Sequence, residues 1–506
     1  MSAPSRMIDL TGVPGLDMVL GGGLARGALM MIIGPPGSGK TILATQMAFA
    51  AARQGRRAII LTALSESTNK LIAHLRTLRF FDEELIGDAI QIISIQQFLQ
   101  EGLRNAADAL VATVRQARGD LVVLDGYQGM RGSVNDDRGA DQTGRHFLYD
   151  VGGQLNLLGA TFAVTYTGKA EDSGLVAEAT TADAVISLSA DVVGARQRRG
   201  LTVVKVRGAA PLTGRHGLTL DEAGVAVFPR LETRVARGAP EFVTAELLHQ
   251  PLTTTIARVP FGLPELDALL GGGLTRDSRT LVVGRVGTAK TLLALHFVLN
   301  GVRAGEPVLY VGFRENPQQL VQKADLFALG EELRAALAPG GGLTILRFPP
   351  VELDPDILAD TILDTIERTG ARRLIVDSIA EIERAAATSS DPGRLENYLA
   401  ALVEALRAGG VTSFFTKELR QTVAAEIDFA EEPIAVFTEN VLLLRQVAHR
   451  GRVRRVLAVL KMNLSAHDTA LREFAIEPPL GIRVLASLES DDGVLDELTT
   501  ENNAGD

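Results

Sequence analysis

Eight residues near the start of the chain, GPPGSGKT at positions 34–41, have the types and spacing that bind phosphate. Glycines let the main chain curl closely around phosphate oxygens, and successive N–H groups point at the anion from the start of a helix. Lys40 is placed to reach the β- and γ-phosphates of a nucleotide, and the hydroxyl of Thr41 can ligate Mg²⁺. An apolar run at 29–33 precedes the loop and a helical pattern follows it, which is the context that this motif requires. The predicted nucleotide contacts are Gly34, Gly37, Ser38, Gly39, Lys40, Thr41 and Ile42.

A second loop of the same kind, GRVGTAKT at 284–291, lies in the other half of the chain. Each loop follows a GGGL turn, at 21–24 and at 271–274, and equivalent residues are 250 positions apart. A period that long indicates a duplicated domain, because solenoid repeats are only ~20–50 residues long. Ala289 replaces the usual glycine before the lysine, so we expect binding to be kept on a less favourable loop. The predicted contacts of this loop are Gly284, Gly287, Thr288, Ala289, Lys290, Thr291 and Leu292.

An aspartate ends an apolar strand pattern in each half, namely Asp125 in LVVLD and Asp377 in RLIVD. In a parallel sheet the carboxyl ends of the strands border the phosphate-binding crevice, where a carboxylate can orient Mg²⁺. A strand-terminal aspartate can also be a plain cap, but its duplication behind two phosphate loops favours the metal site. The predicted metal-site residues are Thr41, Asp125, Thr291 and Asp377, and the predicted ligands are ATP and Mg²⁺.

The elements that position these residues alternate between buried strands and amphipathic helices. This pattern predicts an α/β fold with two tandem domains, each a mainly parallel sheet with helices on both faces. We place the first domain at 1–243, the second at 244–486 and an acidic tail at 487–506, with the linker within 237–254. In the first half, the predicted strands are 58–62, 90–94, 121–125 and 161–165, and the predicted helices are 41–53, 69–79, 106–118 and 147–158.

The composition excludes several classes of site. The 506 residues are 46% apolar and 22% charged, as in ordinary globular proteins. Cysteine is absent, which excludes disulfides, thiolate metal sites and cysteine nucleophiles. No apolar run approaches the ~20 residues of a membrane span, and the N-terminus lacks the apolar core of a signal peptide, so we expect a cytoplasmic protein with no membrane partner. The net charge of −10 makes nucleic acid an unlikely partner.

Besides the GGGL turns and the two loops, the chain contains TGVPGLD at 11–17, LTALSEST at 61–68, LVVLDG at 121–126 and KVRG at 205–208. The order of these motifs resembles the KaiC family of duplicated RecA-like ATPases, and the resemblance extends from about residue 7 to residue 484. It implies a homohexameric double ring that holds ATP between neighbouring subunits in each tier. Some family members are circadian clock ATPases that also phosphorylate themselves. The expected function is therefore slow ATP hydrolysis by such a ring, in signalling or timing.

Family members that resemble the clock protein have two adjacent glutamates after the second strand, and the first is usually taken as the base that activates water. The matching pairs in this chain are Ser65-Glu66 and Arg314-Glu315, so only the second carboxylate remains in each half. Glu66 and Glu315 are candidates to orient water or support the metal, and we expect slow hydrolysis if no other base replaces the missing one.

The family's contacts between subunits come from a K-x-R-G segment near the end of each domain. By resemblance, Lys205 and Arg207 would reach the γ-phosphate of the neighbouring subunit. The second half keeps Lys461 but has Asn463 in place of the arginine. We therefore expect the first tier, formed by the first domains, to do most of the hydrolysis. Solvated charge at a strand edge is the alternative explanation for these cations.

The autophosphorylated pair of the family would fall at Ala435 and Val436, and neither residue has a hydroxyl. Timekeeping by phosphorylation of this pair is therefore not expected. Three alternatives to the slow ATPase stay open: a serine/threonine (auto)kinase that uses the second-domain ATP, an ATP-gated scaffold with little turnover, and a DNA-dependent motor of the RecA/DnaB type. The tail at 487–506 has seven acidic residues and no Lys or Arg, which predicts a disordered segment, with docking of a protein partner as the sharper alternative.

Overall fold

The computed structural model of the protein divides into two compact units, Met1–Arg234 and Val235–Asp506. The boundary predicted at 243/244, most of the predicted linker and residues 488–506 of the predicted tail lie outside the described residues. The structure describes residues 7–62, 68–99, 103–132, 140–169, 172, 176–193, 195–237, 257–388, 393–419, 433–449, 452–463, 465, 467–468 and 470–487.

Strands and helices alternate through the first half. Its strands are β1 (Ile8–Asp9), β2 (Leu24–Ala25), β3 (Leu29–Gly34), β4 (Ala58–Thr62), β5 (Ile90–Ser94), β6 (Leu121–Leu124), β7 (Thr161–Thr167), β8 (Ala184–Val193), β9 (Arg196–Val206), β10 (Arg215–Asp221) and β11 (Gly224–Phe228). Its helices are α1 (Leu16–Leu20), α2 (Lys40–Arg53), α3 (Thr68–Leu75), α4 (Gln96–Leu99), α5 (Leu103–Ala117), α6 (Tyr127–Gly132), α7 (Ala140–Leu158), α8 (Val176–Thr181) and α9 (Leu231–Ala236), with a 3₁₀ turn at Glu83–Leu85.

The second half repeats this order. Its strands are β12 (Arg258–Val259), β13 (Leu274–Thr275), β14 (Arg279–Gly284), β15 (Val308–Gly312), β16 (Leu343–Arg347), β17 (Arg373–Asp377), β18 (Thr412–Glu418), β19 (Asn440–His449), β20 (Arg452–Met462), β21 (Arg472–Glu477) and β22 (Gly481–Ser487). Its helices are α10 (Pro264–Leu269), α11 (Lys290–Arg303), α12 (Pro317–Asp325), α13 (Gly330–Leu337), α14 (Pro355–Thr369), α15 (Ile379–Ala387), α16 (Arg394–Ala408) and α17 (Pro433–Phe437).

Each unit contains a nine-stranded sheet among its described residues. The first has the order β11-β10-β9-β8-β3-β7-β6-β4-β5, and the second has the equivalent order β22-β21-β20-β19-β14-β18-β17-β15-β16. The central strands β3 and β14 pair in parallel with both neighbours, whereas the last three strands of each sheet add antiparallel. The predicted α/β fold with mainly parallel sheets is confirmed.

The apolar run of β3 is buried on both faces, as expected for a central strand of a parallel sheet. Met30 and Ile32 pack into a cluster with α2, while Met31 and Ile33 pack into a cluster with α5 and α7 on the other face. The helix predicted at 69–79 ends at Leu75. The chain turns there because Phe80 and Phe81 pack against Phe49 of α2, with ring centroids 5.7 and 5.4 Å apart. Within the described ranges, every helix is too short or too polar to cross a membrane.

Candidate nucleotide-binding sites

The first loop joins the end of β3 to the start of α2, so its glycines lie at the centre of the carboxyl edge of the sheet. Gly37 and Gly39 have φ values of +73° and +101°, in the left-handed region that glycine adopts without steric cost. A Cβ on Gly34 would lie 2.7 Å from Ser38 Oγ, so this position has no room for a larger residue. The loop thus has the tight main-chain path that contact with phosphate requires.

Lys40 and Asp125 meet beside the first loop. Lys40 Nζ donates to the main-chain oxygens of Gly34 at 2.9 Å and Pro35 at 2.8 Å. Burial lowers the pKa of Lys40, and the carboxylate of Asp125 opposes that shift. Thr41 Oγ1 lies 3.0 Å from both carboxylate oxygens of Asp125. A cation and a hydroxyl–carboxylate pair are therefore brought together at the start of α2.

Thr165, which the sequence patterns did not single out, completes this group from the neighbouring strand β7. Its Oγ1 donates to Asp125 Oδ1 at 2.6 Å and accepts the N–H of Gly126 at 2.8 Å. Mg²⁺ in nucleotide sites takes one or two carboxylates together with phosphate oxygens and water. The oriented Asp125 and the Thr41 hydroxyl fit that donor set. A sequence signal for this residue does exist, since a threonine also stands at the equivalent position 416 of β18.

The second loop joins β14 to α11 in the same way. Lys290 Nζ donates to the main-chain oxygens of Gly284 at 2.7 Å and Arg285 at 2.8 Å. Ala289 has a φ of +68°, in the left-handed region where the first loop has Gly39. A residue with a Cβ is disfavoured there by roughly 1–2 kcal/mol, so the second loop keeps the same path at a cost in free energy.

Asp377 accepts hydrogen bonds from three hydroxyl groups in the second site. Thr291 Oγ1 and Tyr310 OH both donate to Asp377 Oδ2 at 2.8 Å, and Thr416 Oγ1 donates to Asp377 Oδ1. Burial and the adjacent carboxylate of Asp377 raise the pKa of Tyr310 well above its ordinary value, so the phenol stays protonated and donates. The first half has Ile60 at the position of Tyr310, so this strand position offers no hydroxyl to the first carboxylate.

Arg314, at the position of the missing base, lies between two carboxylates. Its Nε is 3.2 Å from Oε1 of the buried Glu381, and its Nη1 is 3.1 Å from Oε2 of Glu418. Glu418 ends β18 opposite Gly284 and two residues after Thr416, so it lies on the same side of the strand as that threonine. Arg314, Thr416 and Glu418 line a cavity of about 490 Å³ that also includes the second loop. Glu418 is a carboxylate of the site that the sequence patterns did not indicate.

The two glutamates predicted to act on water remain predictions. Glu66 lies outside the described residues, which resume at Thr68. Glu315 lines the cavity of the second site, but its Oε1 forms an ion pair with Lys323 of α12. Its charge is thus already partly neutralised by a neighbour in the same domain.

Lys205 and Arg207 lie at the opposite end of the sheet from their own loop. Val206 pairs with Ala184, and Ala184 pairs with Met30 near the beginning of β3. Four residues of strand, ~13 Å, separate this level from Gly34. The structure therefore does not bring these cations to the loop of the same domain.

The cations at this end of each sheet are held by main-chain oxygens. Lys205 Nζ donates to the oxygens of Ala179 and Thr180, both at 3.0 Å. Arg207 donates to the oxygen of Thr180 at 2.6 Å and to Asp183 Oδ1 at 3.3 Å. Burial and the neighbouring Arg207 lower the pKa of Lys205, against the opposite effect of Asp183.

Lys461 occupies the corresponding place in the second unit, with Nζ donating to the oxygen of Thr438 at 2.7 Å. Met462 pairs with Asn440, and Asn440 pairs with Thr280 near the beginning of β14. Lys461 is therefore as far from its own loop as Lys205 is from the first.

Comparison with known proteins agrees with this architecture. The family model "ATPase: KaiC" matches residues 10–232 and again residues 259–489. The chain is 26% identical over 483 residues to the circadian clock protein KaiC3 of Synechocystis sp. (strain ATCC 27184 / PCC 6803 / Kazusa), which covers 92% of this chain and 90% of that protein. It is 24% identical over 478 residues to the circadian clock oscillator protein KaiC of Synechococcus elongatus, covering 92% and 87%. This chain, with two tandem RecA-like domains, belongs to the KaiC family of ATPases.

Proposed function

We propose that this protein binds Mg²⁺-ATP on both loops and hydrolyses it slowly, with each nucleotide held between neighbouring copies of a hexameric double ring. The observation that carries the proposal is the separation of two chemical groups within each unit. Lys40, Thr41 and Asp125 meet at one end of the first sheet, while Lys205 and Arg207 lie at the other. Within one unit these two groups lie too far apart to act on the same phosphate, and in this proposal a second copy brings them together.

This arrangement favours a closed ring. The two ends of the sheet are different surfaces, so a contact that joins them is heterologous, and heterologous contacts close into rings when the rotation allows. The family resemblance supports six subunits per ring. The names of the cyanobacterial relatives as clock proteins support a role in signalling or timing for this chain as well.

Within each site, the residues have separable roles. The loop N–H groups and Lys40 or Lys290 would bind the phosphates, and Thr41 with Asp125, or Thr291 with Asp377, would hold Mg²⁺. When bound, the metal would neutralise part of the negative charge of the phosphates. Lys205 and Arg207 of a neighbouring copy would stabilise the charge on the γ-phosphate.

Slow turnover is proposed because the usual base position holds no carboxylate. Serine stands there in the first half, and Arg314 stands there in the second. In the second site Glu315 is paired with Lys323, and the additional carboxylate Glu418 is paired with Arg314. In each case a cation already contacts the carboxylate and competes with water for it, so neither acid is an evident replacement for the missing base.

The same observation supports an ATP-gated scaffold as the second candidate. In that case ATP would still join neighbouring copies, but hydrolysis would be too slow to drive the ring apart. An (auto)kinase has less support, because Thr438 is only 2% exposed and its Oγ1 donates to the oxygen of Ala435.

These functions can be distinguished by measuring the molecular mass of the assembly, with and without Mg²⁺-ATP, and phosphate release on the same preparation. The ATPase requires hexamers in Mg²⁺-ATP, smaller species without nucleotide, and steady phosphate release. Hexamers with no release would support the scaffold. A protein that stays monomeric at micromolar concentration in Mg²⁺-ATP would contradict both proposals.

A further inference from the structure

The duplication permits a comparison of the two units at the end of the sheet opposite the loops. The N–H of Arg207 donates to the main-chain oxygen of Asp183 at 2.8 Å, and the N–H of Asn463 donates to that of Glu439 at 3.1 Å. This shared hydrogen bond makes Arg207 equivalent to Asn463, and Asp183 equivalent to Glu439. The second unit thus lacks a guanidinium at the position where the first unit has one.

The acid at this position nevertheless contacts an exposed guanidinium in both units. Arg207 Nη1 is 3.3 Å from Asp183 Oδ1, and Arg407 Nη2 is 3.3 Å from Glu439 Oε1. The side chains of Arg207 and Arg407 are each 52% exposed. Arg407 therefore supplies the second unit with an exposed cation beside Glu439, the acid equivalent to Asp183.

Arg407 comes from the end of α16, and its counterpart in the first unit is Asn156 at the end of α7. In each case the main-chain oxygen of the residue accepts a hydrogen bond from a glycine three residues later, at 3.0 and 2.9 Å. The strands that follow, β18 and β7, have the same register against β14 and β3. At these two pairs of equivalent positions the residue types are reversed. The first unit has Asn156 on the helix and Arg207 after the strand, whereas the second has Arg407 on the helix and Asn463 after the strand.

The lysine of the segment is also near this arginine. Arg407, Lys461 and Asn463 line one cavity of about 330 Å³ in the second unit. Lys461 Nζ donates to the main-chain oxygen of Thr438, two residues before β19, and Lys205 Nζ donates to that of Thr180 at the end of α8. A lysine and an arginine are therefore available together at the same end of both sheets.

Glu439 is held independently of Arg407. Arg279, which is 2% exposed in its side chain, donates its Nη2 to Glu439 Oε1 and its main-chain N–H to Glu439 Oε2 at 2.9 Å. The acid therefore keeps a buried partner when Arg407 turns towards an anion. The other contact of Arg407 is with Glu404, one turn earlier on the helix, at 2.9 Å. An exposed pair of this kind contributes little to stability, so it does not hold Arg407 in place.

We propose that Arg407 is the trans-acting arginine of the second tier, binding the phosphates held on the second loop of a neighbouring copy. The planar guanidinium can form two parallel hydrogen bonds to a phosphate, which asparagine at 463 cannot do. This inference rests on the proposed function, in which nucleotides lie between copies. It adds that the second tier has a trans-acting arginine, which comes from α16 and not from position 463.

The test follows the release of a fluorescent ATP analogue from assembled full-length protein after a chase with ATP. The release is expected to have more than one kinetic phase, and the phase that is missing in Lys290→Ala is assigned to release from the second loops. Arg407→Ala should accelerate that phase by about ten- to a hundredfold, the effect of losing a hydrogen bond to a charged group. Glu404→Gln removes the helix ion pair but keeps the cation, so it should leave the phase unchanged. Arg407→Asn combined with Asn463→Arg, which copies the first unit, should restore slow release.

Mixing two variants separates action in trans from a structural defect. Arg407→Ala copies have an intact second loop, and Lys290→Ala copies have an intact Arg407. In rings assembled from an equal mixture, about half of the intact second loops adjoin an intact Arg407 and should regain slow release.

Unchanged release in Arg407→Ala, or a defect that mixing does not repair, would overturn the role of Arg407 while leaving the ring ATPase intact. If Lys290→Ala removes no phase, the second loops hold no nucleotide and this role is likewise refuted. Failure of the unmodified protein to assemble with ATP would refute the proposed function itself, and the inference with it.

Discussion

Replacing His296 with glutamine should make the second unit less sensitive to acid. His296 lies on α11, is only 8% exposed, and has no hydrogen-bond partner for Nε2 among the described residues. Its counterpart on α2 is Gln46, which accepts from the N–H of Val225 at 2.7 Å and donates to its oxygen at 3.1 Å. The two side chains occupy equivalent places, because a Cβ added to Gly224 would press on Gln46 and one added to Gly481 would press on His296.

The size of the effect follows from the charge state of the buried ring. Burial, and then the nearby Arg303, lower the pKa of His296 from 6.5 to about 4, against the opposing effect of Glu332. Between these two values the unfolded chain binds a proton that the folded chain does not. Stability that is present above pH 6.5 is therefore lost as the pH falls towards 4. The full loss is ~3 kcal/mol, and ~2 kcal/mol of it is reached by pH 5.

Hydrogen exchange followed by mass spectrometry can measure this loss unit by unit, which suits a chain that has no tryptophan. Opening free energies are compared at pH 8 and pH 5 without nucleotide, after correction for intrinsic exchange rates. Peptides from α11 should lose ~2 kcal/mol more in the natural protein than in His296→Gln. Peptides from α2 provide the internal control and should behave alike in both proteins.

Equal losses in the two proteins would refute this reasoning. So would an NMR titration that places the pKa of His296 near 6.5. Either result would mean that the ring reaches water or finds a hydrogen-bond partner, and that the folded unit tolerates the charged form.

Three further outcomes are expected. Lys40→Ala should abolish most steady-state phosphate release while Lys290→Ala leaves most of it, and equal losses would show that the tiers share the work. Thr165→Val removes the hydroxyl that donates to Asp125, the proposed metal-site carboxylate. It should raise the Mg²⁺ concentration needed for half-maximal phosphate release by ~10–100-fold. An unchanged Mg²⁺ titration would exclude that role. Incubation with labelled ATP should leave the segment around Ala435 and Val436 unmodified. Phosphate found there by mass spectrometry would support the (auto)kinase alternative instead.

Both loops and the order of the elements could be predicted from the sequence because their causes are local. Main-chain contact with phosphate needs glycines at a fixed spacing, and a parallel sheet buried on both faces needs continuous apolar strands. β3 and α2 accordingly begin and end within a residue of the patterns at 29–33 and 41–53. The end of α3 was misjudged, because Phe80 and Phe81 are drawn to Phe49 by packing that a helical pattern does not contain.

The charged groups around the loops could not be predicted in the same way, since each depends on strands that are far apart in sequence. Glu418 contacts Arg314 across 104 positions, and only the pairing of β18 with β14 brings that carboxylate to the second loop. A threonine within an apolar strand, such as Thr165, is equally compatible with simple core packing. Its proposed role could be inferred only once the sheet had placed it beside Asp125.

Differences between the two halves acquire a different meaning once their contacts are known. From the sequence alone, Asn463 in place of the arginine predicts that the second tier lacks a trans-acting arginine and hydrolyses little ATP. In the structure, the acid that accompanied the arginine still contacts one, because Arg407 has replaced it from another helix. The expected inequality of the tiers would then rest on Ala289 in the second loop and on the base position, where Arg314 stands between two carboxylates and Glu315 is paired with Lys323. A substitution at a duplicated site thus indicates lost chemistry only when no neighbouring position has taken over the same contact.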